Sequence, residues 1–225
     1  MIADFLVDAK RFSPLLLDGL WVTLVVSFAT LICSTLLGAF WEALRLSGSA
    51  VLAGVSTSAI TLIRSVPMMV QVFFAYFALP EIGIDMSPIV AGTLALSMGH
   101  SAYMAENFRL AIQSIDKGQL EAAQSMGMSR IRTFSRVIVP QALKSALPPY
   151  GNSAIMILKD SSLCAVITVP ELTRQAQLLS AETFKTMNVF TLAALMYAAI
   201  CIPTALLVRY SEKHLAGAKT GRAHD

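Results

Sequence analysis

Long apolar stretches without charged residues recur along the whole chain and set its predicted architecture. A helix needs about 20 residues to cross roughly 30 Å of hydrocarbon. The apolar stretches are Leu20–Trp41, Leu46–Ile63, Ser65–Pro80, Met86–Ala105, Ser145–Leu158 and Thr186–Val208. We interpret the second and third as one helix that contains a buried charge, Arg64, and we extend the fifth from Pro140 to Lys159. The pattern therefore predicts an all-α membrane protein with five transmembrane helices, centred near residues 31, 65, 97, 150 and 197.

Two shorter segments have an amphipathic pattern. In residues 1–14 apolar side chains recur at helical spacing with the charged residues on the other side, which predicts an interfacial helix; a frayed tail is the alternative. In residues 161–185 a stretch that opens at Pro170 predicts a short helix on the outer face. Its apolar stripe would consist of Leu172, Ala176, Leu179 and Phe184.

The composition agrees with a single membrane domain over residues 1–225. Apolar residues make up 56% of the chain, charged residues only 14%, and the mean hydropathy is +0.66. A soluble domain normally carries about a quarter charged residues. Three cysteines, Cys33, Cys164 and Cys201, are too few and too scattered for a disulfide framework.

The basic residues predict the orientation of the chain, because Lys and Arg concentrate on the cytoplasmic side. One set of flanks holds eleven of them: Arg45, Arg109, Lys117, Arg130, Arg132, Arg136, Lys144, Arg209, Lys213, Lys219 and Arg222. The other set holds four: Lys10, Arg11, Arg174 and Lys185. We therefore expect the N-terminus outside, the C-terminus inside, residues 161–185 outside and the loop 117–140 in the cytoplasm. This asymmetry accounts for the net charge of +3 without a nucleic-acid partner.

The cytoplasmic loop contains the signals of a helical hairpin. Asp116 can cap a first helix, with Gln119 as its reciprocal partner. Gly127 permits a left-handed exit from that helix. Ser129 can cap a second helix, which we expect to end at Pro140. From the pattern alone, a docking element and a tight connector between two membrane helices are both open.

The same loop carries a family resemblance. Glu121-Ala122-Ala123, followed by Gly127 and Ile138-Val139-Pro140, resembles the EAA motif of ATP-binding-cassette (ABC) importer permeases. Further segments are similar, in order, to the polar amino-acid (histidine, glutamine and glutamate) subfamily: Asp18–Leu24, Arg64–Pro67, Gln71–Phe77, Ala102–Glu106 and Lys159–Leu163. The resemblance implies the type I ABC importer permease fold in a bacterial inner membrane. It also implies that an ATPase docks on residues 117–140, at Glu121, Ala122, Ala123, Gly127, Met128 and Ser129.

The resemblance further implies the partners and the cargo. It implies two ATPase subunits that bind ATP and Mg²⁺, a second permease copy or a paralogue, and a periplasmic or lipid-anchored solute-binding protein. The cargo would be a polar amino acid or a related small zwitterion. The chain has no G-x-x-x-x-G-K-[ST] phosphate loop and no nucleophile–base constellation, so we expect a non-catalytic subunit with no cofactor or metal of its own.

Polar residues within the predicted spans indicate a translocation pathway, because ionisable side chains in a membrane face a cavity or a partner. The candidates are Arg64, Pro67, Gln71, Lys159, Asp160 and Ser161. Pro67 should kink its helix. The alternatives are that Arg64 forms a structural ion pair with Glu106 or Asp160, of this subunit or of a second one, and that Lys159 and Asp160 mark the membrane boundary. We interpret His100 as a packing residue rather than a ligand.

Two other function classes are open to a chain of this kind. An ion-coupled secondary transporter would be expected to contain internal repeats of its spans, and we find none in the sequence. A membrane-anchored interaction protein would use the cytoplasmic loop to recruit a partner without transport.

Overall fold

Every regular element that the computed structural model describes between residues 2 and 220 is helical. The side chains are described for residues 4–212, so the basic residues Lys213, Lys219 and Arg222 of the orientation prediction lie outside the described side chains, as does Met1 of the predicted interfacial segment. The α-helices are α1 (Ile2–Leu46), α2 (Ala50–Ser65), α3 (Met68–Phe73), α4 (Pro88–Gln113), α5 (Lys117–Ser125), α6 (Arg130–Thr133), α7 (Val139–Asp160), α8 (Leu172–Thr183) and α9 (Thr186–Thr220). Other helical turns adjoin them: a π turn (Phe74–Ala78) and a 3₁₀ turn (Leu79–Ile82) after α3, a π turn (Phe134–Ile138) before α7 and a 3₁₀ segment (Ser161–Ile167) after it.

Helix α1 is longer than a membrane is thick. Its 45 residues correspond to about 67 Å at 1.5 Å per residue. Residues 2–14 are helical and continue directly into the first apolar stretch. Phe12 and Leu16 of α1 are buried against α8 and α9, together with Leu172 and Val189. Where residues 1–14 lie relative to the membrane interface stays a prediction.

Helix α4 is the centre of the fold and packs most extensively against α1. Small residues bring the two helices together: a Cβ added at Gly38 would lie 2.5 Å from Cβ of Met104 and 3.0 Å from the backbone N of Ala105. The buried face of α4 includes Ala91, Ala95, Leu96, Ala102 and Ala105. Close approach of this kind is how helices associate where lipid tails remove the hydrophobic driving force.

The second predicted span is broken at Pro67. Helix α2 ends at Ser65 and α3 begins at Met68, and the two directions differ by 99°. The residue before a proline is held in an extended conformation, and Val66 has φ −96° and ψ 128°. The predicted kink is therefore confirmed, but the single helix with a buried charge is wrong, because the chain turns sharply there and the Arg64 side chain is exposed.

Length and hydropathy support fewer spans than the sequence predicted. Within the described residues, Asp4–Leu46 and Thr186–Glu212 each qualify alone. Two bent pairs qualify together, α2 with Met68–Ile82 and Arg130–Ile167 with α8, so the total is at most four. Helix α4 has 26 residues but is not among them. It lies inside the fold and carries buried polar residues such as Ser97, His100 and Ser101. The number of five spans stays a prediction.

The loop 117–140 begins with the predicted hairpin. Oδ1 of Asp116 accepts a hydrogen bond from the Gly118 N–H at 2.7 Å, Gly127 has φ +69°, and Ser129 caps α6. The second helix does not end at Pro140, so that prediction is wrong. The chain passes from α6 through the π turn into α7 without interruption. Pro140 lies in the first turn of α7, where the missing N–H of a proline is tolerated. The preceding π turn has already displaced the i to i−4 backbone hydrogen bonds of the helix.

The short helix predicted between residues 161 and 185 is α8. Glu171 caps it by accepting hydrogen bonds from the N–H groups of Thr173 and Arg174, at 2.9 and 2.7 Å. Leu172, Ala176 and Leu179 form the buried stripe. Phe184 is not part of that stripe, because it ends the helix in a left-handed conformation (φ 56°) with a side chain that is 89% exposed. The position of α8 on the outer face stays a prediction.

Candidate transport pathway and coupling segment

A line of four side chains joins two opposite charges on different helices. The Arg64 guanidinium carbon lies 5.3 Å above the ring centroid of Tyr103. The Tyr103 and His100 ring centroids are 6.2 Å apart, and Nε2 of His100 is 3.1 Å from Oδ2 of Asp160. Arg64 lies at the end of α2, His100 and Tyr103 lie on α4, and Asp160 ends α7. We call this set the charge bridge.

The two ends of the charge bridge and Tyr103 are accessible, and of its four side chains only His100 is enclosed. Arg64 is exposed and the Asp160 side chain is 36% exposed, whereas His100 is 1% exposed. Nε2 of His100 makes no hydrogen bond of good geometry, although it lies 3.1 Å from Oδ2 of Asp160. The charge bridge therefore offers a cation and an anion to a polar molecule on either side of an aromatic surface.

The ion pair that we considered for Arg64 is absent from the described part of this chain. Glu106 is held instead by Arg45 and Arg109, each 2.8 Å from one of its carboxylate oxygens. Asp160 lies next to His100 and not next to Arg64. Within this chain neither Glu106 nor Asp160 therefore neutralises Arg64, and an ion pair with a carboxylate of a second subunit stays a prediction.

The other predicted pathway residues lie close to the charge bridge but differ in exposure. Lys159 is exposed, beside Asp160. Ser161 is buried, and its hydroxyl donates to the Leu158 carbonyl at 2.8 Å. Pro67 is exposed at the break between α2 and α3.

Gln71 stabilises that break. Its Nε2 donates to the carbonyl oxygens of Ile63 and Val66, both at 3.0 Å. These carbonyls lie where Pro67 interrupts the helical hydrogen bonds, so the Gln71 amide satisfies groups that the bend leaves open. Through the backbone of residues 63–66 Gln71 also supports the position of Arg64.

Replacing Gln71 with leucine is expected to lower stability, because two carbonyl groups at the bend lose their donor. Leaving such a group unsatisfied costs about 1–3 kcal/mol. Thermal unfolding in detergent should show a lower midpoint for Gln71→Leu. Gln124→Leu is the control, since Gln124 is exposed and makes no side-chain hydrogen bond within the described residues. Equal midpoints for the two variants would contradict the role given to Gln71.

The coupling segment, residues 117–140, presents several predicted docking residues to solvent. Glu121, Ala122, Gly127 and Ser129 are exposed, and Met128 is half-buried. Ala123 is buried at 1% exposure, and its carbonyl accepts from the Met128 N–H at 3.1 Å. Ala123 therefore closes the hairpin from within rather than offering a surface.

The sequence analysis did not predict that two apolar side chains of the coupling segment are exposed. Met126 is 73% exposed and Ile131 is 82% exposed, on either side of Gly127. The sequence could have indicated their exposure, because both residues lie outside any apolar stripe that the hairpin buries. Exposed apolar side chains contribute to a surface for a partner where they form a contiguous patch.

A second missed feature is an ionic cluster between α1 and α4. Glu106 binds Arg45 and Arg109, and Glu42 lies 3.6 Å from Arg45. Beside Glu42 is a mainly apolar cavity of about 270 Å³ between α1, α4 and α7. Phe134 and Val139, at the two ends of the π turn, line this cavity. The spacing of Glu42 and Arg45 was visible in the sequence, but their partner across the fold was not.

Comparison with known proteins identifies the family to which this architecture belongs. Residues 20–217 match the family model described as "Binding-protein-dependent transport system inner membrane component". The chain is 39% identical to the probable amino-acid ABC transporter permease protein YckA of Bacillus subtilis (strain 168), over 90% of each chain. It is 37% identical to the glutamine transport system permease protein GlnP of Escherichia coli (strain K12), over 90% of this chain and 93% of that one.

A solved structure supports the same assignment. The fold matches a chain of a crystal structure of an amino acid ABC transporter with histidines, with a TM-score of 0.88 and 33% identity over 92% of this chain and 97% of that one. The fold is thus the type I ABC importer permease fold, and ATP hydrolysis belongs to a separate subunit of such importers. The chain therefore belongs to the family of binding-protein-dependent transport system inner membrane components, as a non-catalytic permease subunit of an ABC importer.

Proposed function

We propose that this permease subunit carries a polar amino acid or a related small zwitterion, and that the solute passes the charge bridge. The observation that carries the proposal is the pair of accessible opposite charges, Arg64 and Asp160, on either side of Tyr103 and His100. As it passes, a zwitterion presents a carboxylate that Arg64 attracts and an ammonium group that Asp160 attracts. The amino-acid and glutamine transport named for the two relatives supports the same class of solute.

The proposed pathway includes Pro67, Gln71, Lys159 and Ser161 in supporting roles. Pro67 and Gln71 form the bend that holds Arg64. Lys159 and Ser161 flank Asp160 where α7 gives way to the 3₁₀ segment. Interrupted membrane helices form the binding sites of many transporters.

The coupling segment is the proposed contact with the ATPase. Glu121, Ala122, Gly127, Met128 and Ser129 would form the contact surface, with Ala123 holding the hairpin closed. Met126 and Ile131 add exposed apolar area to this surface. Two ATPase subunits with bound ATP and Mg²⁺ would dock in this way, one on each of two permease subunits, which are copies or paralogues.

The proposed orientation follows from the basic residues, with the N-terminus outside and the C-terminus inside. Five spans would then cross the membrane, and residues 117–140 would face the ATPase. Residues 1–14 would lie at the outer interface and residues 161–185 on the outer side. There a periplasmic or lipid-anchored binding protein would deliver the solute.

The two charged ends are tested by neutralising each in turn. Arg64→Gln and Asp160→Asn are each expected to reduce uptake of labelled glutamine, histidine or glutamate by roughly 10- to 100-fold. A hydrogen bond to a charged group contributes about 1.5–3 kcal/mol, and 1.4 kcal/mol is tenfold. The measurement is uptake into proteoliposomes that contain the complete importer with its binding protein. Arg209→Gln and Asp85→Asn are matched controls, since both residues are exposed and outside the charge bridge.

If Arg64→Gln and Asp160→Asn both take up solute at the rate of the controls, the charge bridge is not part of the pathway.

The same preparation tests whether the protein is an ABC importer subunit or a secondary transporter. Proteoliposomes that contain this chain without the ATPase should show no uptake. Solute movement without the ATPase would favour an ion-coupled secondary transporter.

A further inference from the structure

The cavity between α1, α4 and α7 lies where these three helices end beside the coupling segment. Its lining residues fall in 39–46 at the end of α1, in 108–112 at the end of α4 and in 134–146 around the start of α7. Of the twelve lining residues only Glu42 is polar, and the volume is about 270 Å³. An apolar cavity of about 150 Å³ is enough to hold benzene. The cavity therefore has room for a larger apolar group.

The cavity is open on one side of the chain. Ala43, Leu46 and Leu143 line it and are also exposed. The ends of membrane-spanning helices lie near the lipid headgroups, because the hydrocarbon layer ends there. A lipid can therefore place an acyl chain in the cavity while its headgroup stays outside.

The π turn before α7 gives the cavity its shape. The Val139 N–H donates to the carbonyl of Phe134, five residues earlier. In a regular α-helix, residues five apart point about 140° away from each other. The wider π turn brings Phe134 and Val139 to the same side, and both line the cavity. Turns of this kind are rare and frequently occur at functional sites.

Basic side chains follow the same continuous helix beside the cavity. Arg132, Arg136 and Lys144 are separated by four and eight residues, so they lie along one side of the helix. All three are exposed, and none makes an ion pair or a side-chain hydrogen bond within the described residues. No Asp or Glu occurs in residues 122–159 to balance them. Lys144 directly follows Leu143, which lines the cavity. Basic residues next to a membrane helix attract anionic lipid headgroups.

We infer that this cavity binds one acyl chain of an anionic phospholipid, and that Arg136 and Lys144 bind its headgroup. The inference goes beyond the proposed function and does not depend on the identity of the solute. A zwitterionic phospholipid offers the same acyl chain to the cavity but no net charge to the two basic residues. An acyl chain is deformable, so α7 can still tilt while the cavity is filled.

The test is a lipid titration of the delipidated permease–ATPase complex in a non-ionic detergent. Phosphatidylglycerol and phosphatidylcholine with identical acyl chains are added separately, and native mass spectrometry measures the lipids bound to each complex. Each basic residue near an anionic lipid strengthens binding severalfold. Phosphatidylglycerol is therefore expected to bind about 10- to 30-fold more tightly than phosphatidylcholine.

Two variants separate the headgroup from the acyl chain. The double variant Arg136→Gln/Lys144→Gln is expected to bind phosphatidylglycerol only as tightly as phosphatidylcholine. Ala43→Leu places a larger side chain in the open side of the cavity and is expected to weaken binding of both lipids about tenfold, because fewer methylene groups are buried. The matched controls change exposed residues that do not line the cavity: Lys10→Gln/Arg209→Gln and Ala199→Leu.

Three results would overturn the inference. The first is equal affinity of the unmodified complex for the two lipids, and the second is lipid binding by Ala43→Leu at the level of Ala199→Leu. The third is loss of the ATPase from the double variant with unchanged binding of phosphatidylglycerol, which would assign the basic residues to an acidic surface of the ATPase.

A labelling experiment on the unmodified complex decides the position of the acyl chain even if Ala43→Leu does not assemble. Phosphatidylglycerol with a photoreactive group in its acyl chain is expected to label Phe134 or Leu143. Labelling confined to residues outside the cavity would overturn the inference.

Discussion

Uptake is expected to fall at least tenfold when Gly127 is replaced by valine, while the membrane helices remain folded. Gly127 has φ +69°, a conformation that a β-branched residue adopts only at a cost of roughly 1–3 kcal/mol. A Cβ added there would meet no atom within 4 Å, so the cost comes from the backbone alone. The strain would open the turn between α5 and α6 and displace Glu121, Ala122 and Met128 together. An energy of 1.4 kcal/mol is a factor of ten in an equilibrium.

Two readouts belong to this experiment: uptake by the complete importer, and co-purification of the ATPase with the permease. Gly48→Val is the matched control. Gly48 also has a positive φ, +77°, and open space around it, but it lies between α1 and α2. The control therefore carries the same backbone strain outside the coupling segment. Normal uptake and ATPase binding in Gly127→Val would show that residues 117–140 are not the docking element.

The largest effect on stability is expected for Gly38→Val. A Cβ at this position would lie 2.5 Å from Cβ of Met104 and 3.0 Å from both the Ala105 N and the Ser101 O. Two of these three atoms are backbone, so α1 and α4 would have to separate. Overpacking of a core costs about 1–3 kcal/mol when side chains can adjust, and here the backbone must move as well. We expect little folded protein.

Separation of α1 from α4 would also disturb the polar contacts along the same interface. These include the hydrogen bond from Trp41 Nε1 to the Ser101 hydroxyl at 3.2 Å and the Arg45–Glu106 ion pair. The measurement is the yield of monodisperse protein in detergent, together with its unfolding temperature. Gly54→Val is the control, because Gly54 is also helical but nothing lies within 4 Å of an added Cβ. Equal yields would show that the close approach at Gly38 is not needed.

Features set by neighbouring residues were predictable from the sequence. The cap at Asp116, the left-handed Gly127 and the cap at Ser129 involve only residues within a few positions of one another. The break at Pro67 was predictable for the same reason, since a proline acts on the residue before it and on its own turn. The 99° angle of that break was not. It depends on Gln71, which reaches back to two carbonyls, and on the packing of α3 against α4.

Contacts between distant residues left little trace in the sequence. His100 and Asp160 lie close together only because α4 packs against α7. Glu106 was considered as a partner of Arg64, but its actual partner Arg45 could be identified only after α1 and α4 were packed. The continuation of the helix past Pro140 depends on a π turn, for which hydrophobic periodicity gives no signal. Which side chains pair across the fold, and whether a helix continues past a proline, thus depend on tertiary structure.

The uninterrupted helix from Arg130 to Asp160 runs from the coupling segment to the charge bridge. From the π turn to Asp160 it measures about 33 Å at 1.5 Å per residue. The cavity of about 270 Å³ beside Phe134 and Val139 leaves space at the turn for the helix to tilt. Over an arm of that length, a tilt of about 10° moves the far end by roughly 6 Å. Such a displacement exceeds the 3.1 Å between His100 and Asp160, so a small rotation at the coupling segment is enough to part the pair.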